Sequence, residues 1–61
     1  MFTKSDLSFL KQAAKSEIRF HEKGLEIYEG NEVLANHCRD RIRIFNELVS
    51  KIELAKKEAP Y

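Results

Sequence analysis

Apolar residues recur along the first half of the chain at steps of three and four. Leu7, Leu10, Ala14, Ile18, His21, Leu25 and Tyr28 form one stripe with a mean spacing close to that of a heptad. This pattern predicts a helix over about residues 4–29. Thr3 is suited to cap it, with Asp6 three residues on to complete a capping box. Phe2 and Leu7 flank the cap at hydrophobic-staple spacing. Gly24 interrupts the stripe and costs about 1 kcal/mol relative to Ala, so either the helix tolerates it or another backbone packs closely there.

The stripe ends at Glu29-Gly30-Asn31. Gly30 can take up a left-handed conformation that closes a helix, and Asn31 can cap the next. A second stripe follows, made of Leu34, Cys38, Ile42, Phe45, Leu48, Val49, Ile52 and Ala59. It predicts a helix over about 32–58, stopped by Pro60. A turn confined to residues 30–31 forces the helices to be antiparallel neighbours. The expected fold class is therefore all-α, a single hairpin domain spanning 1–61. Folding about Gly30 is expected to bring Leu10 near Ile52, Ala14 near Leu48, Ile18 near Phe45 and Leu25 near Cys38. His21 should approach Arg41 or Ile42.

Each helix carries more apolar surface than one neighbour can cover. Phe9, Ala13, Phe20 and Ile27 make a second stripe on the first helix, roughly 115° around the axis from the first. Val33, Ile44, Leu48 and Ala55 widen the apolar arc on the second, with His37 among them. An aligned row of large exposed apolar residues is unusual on a monomer. The expectation is a homo-oligomer, most simply a dimer of hairpins forming a four-helix bundle, with Phe9, Ala13, Phe20, Ile27, Val33, Ile44 and Leu48 at an oligomer or partner interface.

Size sharpens this expectation. Sixty-one residues with a single cysteine, Cys38, cannot form an internal disulfide, and one thiol with two histidines offers little for a structural zinc site. Chains this short bury only about 60% of their unfolded surface, which leaves oligomerisation as the common remedy. No metal or other cofactor is expected. The balance of 11 basic and 10 acidic side chains speaks against broad nonspecific nucleic-acid binding. No run of apolar residues is long enough to cross a membrane, and no apolar signal core follows Met1. A free thiol without an export signal fits a cytoplasmic location.

Few residues suggest chemistry. His37-Cys38-Arg39-Asp40 groups reactive side chains, but adjacent helical residues diverge by about 100°, so His37 and Cys38 do not face each other as a nucleophile and base must. Cys38 lies on the core stripe, where it acts as a small apolar residue. His21 is expected to be half-buried at the edge of the bundle, and Tyr28 to pack near the turn. No catalytic residue is assigned, and an enzyme is the class least expected. Lys11, Lys15, Arg19 and Lys23 follow one another at i,i+4, a spacing at which like charges oppose each other. They could face an anion such as RNA, or form a solvated ridge relieved by Glu22 and Glu26. Arg39 and Arg43 share a side and could meet a phosphate-bearing small molecule between subunits. Three functions follow in order of expectation. The first is a non-enzymatic oligomer that binds another protein as adaptor, chaperone-like factor or inhibitor. The second is RNA binding through the ridge, and the third is sequestration of a small anion.

Overall fold

A computed structural model describes residues 2–60 of the chain. Met1 and Tyr61, the latter expected to be a loose end, lie outside the described residues. Two helices, α1 (Lys4–Ile27) and α2 (Glu32–Glu58), make up an all-α hairpin without strands among those residues. The body measures 47 × 14 × 13 Å.

The start of α1 follows from its first four polar groups. Asp6 N donates to Thr3 Oγ1 at 3.1 Å, and Thr3 N donates to Asp6 Oδ2 at 3.0 Å. Two amides that the helix cannot satisfy itself are thereby paired reciprocally. Phe2 stays exposed although Leu7 is buried. At the other end α1 stops at Ile27, two residues before the expected Glu29. Tyr28 is its C-cap, with Tyr28 N donating to Gly24 O at 2.8 Å. Asn31 N then donates to Tyr28 O at 2.9 Å, closing a tight turn over residues 28–31 instead of 30–31. Gly30 is the third residue of that turn and has φ 90. This conformation is open to glycine and strained for residues with a Cβ. Asn31 caps α2 by accepting from Leu34 N at 3.2 Å.

The seam between the helices differs from the expected one in three leucines and in Tyr28, which is exposed as the C-cap of α1. On α2 and its C-cap the buried and half-buried positions are Ala35, Cys38, Ile42, Phe45, Val49, Ile52, Lys56 and the cap residue Ala59. These alternate strictly by three and four, the heptad rhythm that keeps one seam facing a neighbour. On α1 the matching set is Leu7, Lys11, Ala14, Ile18, His21 and Leu25. Leu10, Leu34 and Leu48, all expected in the seam, are instead exposed; Lys11 and Ala35 take the places of the first two, and Val49, also expected there, stays in the seam without Leu48. Leu10 is 42% exposed, whereas the Lys11 side chain is 27% exposed. Lysine can do this because its four-carbon stem covers apolar surface while its ammonium reaches Glu53 Oε1 at 2.7 Å.

Small residues explain why the helices come so close. Gly24 is buried in α1. A Cβ added there would stand 2.9 Å from Cys38 Sγ. That distance is inside van der Waals contact, so the glycine makes room for the sulfur. The costly mid-helix glycine is thus a packing requirement. Ala14 and Ala35 are also buried. The contacts Lys11–Glu53 and Gly24–Cys38 fix the register.

Candidate functional site

The seam divides the hairpin's surface into two broad faces of opposite character. Residues seven apart return to nearly the same side of a helix, so each face can be followed as rows. On one side of the seam lie Lys11, Lys15 and Glu22 of α1, opposite Arg39, Asn46 and Glu53 of α2. Shallow grooves here are lined by Lys15, Ile18, Arg19, Asn46 and Val49, and by Glu22, Leu25, Arg39, Ile42, Arg43, Asn46 and Glu47. This is the polar face.

The opposite side carries Leu10, Ala13, Phe20 and Ile27 of α1 and Leu34, Ile44 and Leu48 of α2. All of these are exposed. Phe20 is 61% and Ile27 72% exposed, although both are large and apolar. An open groove of about 930 Å³ in the turn-proximal half reaches from this face around α1, lined in part by Phe20, Gly24, Ile27, Tyr28, Leu34 and His37 and also by the charged Arg19, Glu22, Lys23 and Glu26. The leucines displaced from the seam therefore strengthen this face. Of the seven residues assigned to an interface, Ala13, Phe20, Ile27, Ile44 and Leu48 lie on it. Phe9 and Val33 stand at the outer edges of the two helices, where they are highly exposed. Leu10 and Leu34 belong to the face and were not assigned to it. The strict heptad on α2, which runs through Ala35 and not Leu34, is the signal that could place Leu34.

The two histidines meet at the groove. The His21 side chain is only 17% exposed. Its ring stacks on Phe45 at 6.0 Å and 17°, and meets Phe20 edge-on at 5.3 Å and 68°. His37 approaches it edge-on at 6.3 Å and 79°. His21 thus packs between rings one turn to either side of the Arg41 and Ile42 expected beside it. Its Nε2 lies 3.7 Å from Glu17 Oε2, too long for a hydrogen bond. Cys38 is buried against Gly24. No group of three or more His, Cys, Asp or Glu among the described residues could hold a metal ion.

The basic residues do not form one patch. Successive i,i+4 residues rotate about 40° around the axis, so the ridge from Lys11 to Lys23 winds from the seam toward the back of α1. Lys11 is paired with Glu53, whose carboxyl is held below its ordinary pKa by that contact. Arg43 lies 3.5 Å from Glu47 and 3.8 Å from Asp40, and Arg39 donates to Asn36 at 2.7 Å. Lys15, Arg19 and Lys23 have no ion-pair partner among the described residues.

Neither helix is long and apolar enough to cross a membrane, among the residues described. No protein-family model matches the chain, and no match was found among curated proteins or among solved structures.

Proposed function

We propose that this hairpin is a non-enzymatic helical module that self-associates and acts by binding another protein. The observation that carries this is the continuous apolar face through Leu10, Phe20, Ile27, Leu34 and Leu48, all exposed in the isolated chain. The folded chain exposes 4930 Å². A compact globule of 7.2 kDa would expose about 4100 Å². The surplus of about 800 Å² equals what one partner loses in a protein interface of standard size. Two hairpins packed through these faces would make a four-helix bundle, and a higher oligomer would cover the same surface.

Such an assembly leaves Phe9, Val33, Leu54 and the polar faces outside. A partner protein would dock there, with the oligomer presenting each element more than once. The scarcity of paired chemistry supports a binding role over an enzymatic one, and the buried free thiol fits a reducing compartment such as the cytoplasm. Size-exclusion chromatography with light scattering at micromolar concentration tests the assembly. A mass of two or more 7.2 kDa chains is expected, and a well-folded monomer would overturn the proposal.

A second function is favoured by one observation. Lys15, Arg19 and Lys23 carry charge without a partner carboxylate among the described residues, so they are free to meet RNA phosphates. Absence of RNA binding by the oligomer at low salt would remove this alternative. Sequestration of a small anion by Arg39 and Arg43 is less supported, because Asn36, Asp40 and Glu47 already engage them.

A further inference from the structure

The apolar face carries charges arranged in a way that selects one mode of pairing. On the face, α1 contributes Asp6 and Glu17, in the same rows as Leu10, Ala13, Phe20 and Ile27. The α2 rows contribute Arg41 and Lys51 beside Leu34 and Leu48, with Glu58 at the helix end. In these rows the α1 edge of the face is acidic and the α2 edge is net basic, while Arg19, Glu22, Lys23 and Glu26 also line the groove.

We propose, resting on the self-association above, that the occupant of this face is a second copy of the chain. It lies with its turn at the same end and with α1 across the partner's α2. Two two-fold arrangements can place these faces together. In the first the symmetry axis runs along the hairpin, and each α1 lies over the other copy's α2. In the second the axis runs across the hairpin, the turns lie at opposite ends, and like helices lie over like.

The register decides between them. With Gly24 against Cys38, Arg41 stands level with His21, and Lys51 level with Lys11. In the turns-together arrangement these levels are kept. Glu17 is then about 6 Å along the axis from the other copy's Arg41, and Asp6 about 7.5 Å from its Lys51, at 1.5 Å per residue. Both offsets are within reach of long basic side chains. Ile27 falls beside Leu34 of the second copy, large on large, and Ala13 beside its Leu48, small against large. In the turns-apart arrangement Glu17, near the middle of α1, opposes Glu17 of the other copy. Arg41 is then brought level with Lys51. Like charges at an interface are disfavoured and set orientation.

A nitroxide placed on Glu29→Cys, in the exposed turn, reads the arrangement by pulsed electron spin resonance on the full-length chain. Cys38 is buried and should not be labelled in the folded protein. Turns together predicts a distance near two helix layers, roughly 20 Å. A dimer with a distance approaching the 47 Å length of the body would overturn the alignment and leave self-association standing. A monomer would overturn both. Independently, Glu17→Arg should weaken the dimer about tenfold, and adding Arg41→Glu should restore it. A double variant no tighter than the single one would overturn the contact. Both residues are exposed, so circular dichroism should show the fold unchanged.

Discussion

The two faces of the hairpin are built from the same two helices and differ in what they do with their side chains. The polar face is self-sufficient. Lys11 reaches Glu53, Arg43 lies near Glu47 and Asp40, and Arg39 finds Asn36. On the apolar face only Glu17 lies near a partner, His21 at 3.7 Å, and Phe20, Ile27 and Leu34 face solvent in the isolated chain. Charged groups tolerate water and gain little from one another at the surface. Large apolar groups lose free energy in proportion to the area left wet. The difference therefore leaves one face suited to solvent and the other with its apolar area wet in the isolated chain.

The largest expected effect comes from charging the apolar face. Phe20→Asp should cost at least about 2 kcal/mol per copy in association, and light scattering should show a monomer. The same change at Phe9, on the outer edge of α1, should leave the mass nearly unaffected. Equal losses at both positions would erase the distinction between face and edge.

Next is the line between the faces. Gly24→Ala gains about 1 kcal/mol of helix propensity, but its Cβ would press on Cys38 Sγ, and overpacking costs about 1–3 kcal/mol. Net destabilisation of about 1 kcal/mol is expected in urea unfolding. The double variant with Cys38→Ala should be more stable than the sum of the single changes, because the two side chains share one space. Strict additivity would show that the sulfur does not set the spacing. Gly30→Ala, which forces a Cβ into a left-handed turn position, should cost about 1 kcal/mol and is not expected to be rescued by Cys38→Ala.

The smallest effect belongs to the polar face. The Lys11 ammonium holds the Glu53 carboxyl below its ordinary pKa, first by a hydrogen bond and then by charge. A depressed carboxylate stabilises the fold above its unfolded pKa, and that contribution is lost as the pH falls through the folded value. The loss should thus begin below about pH 4.3. Glu53→Gln should diminish this acid dependence slightly, since the pair is exposed. A large change in neutral-pH stability would mean that the polar face is not the self-sufficient surface described.

The sequence was most informative where one residue type has one physical use. Thr3, Asp6, Asn31 and Gly30 mark helix ends and the turn because caps and positive φ admit few alternatives. The seam was less legible. Hydrophobicity ranks Leu10 above Lys11 and Leu34 above Ala35, yet the second member of each pair is the more buried. Close helix packing favours small or β-branched side chains and lysine stems at these places, and the leucines turn outward to the apolar face. For α2, the spacing of three and four contained this answer. The helix boundary at Ile27 was missed because the turn begins with Tyr28 as a cap, a role without a distinctive residue preference.

The contact between Gly24 and Cys38 has a kinetic consequence. The thiol is enclosed against Gly24, in space that a side chain there would occupy. A thiol reagent cannot reach it until the helices part near the turn. The rate of Cys38 modification therefore works as an internal stopwatch for hairpin opening. It should run slowly when a second copy covers the neighbouring groove and faster as the protein is diluted.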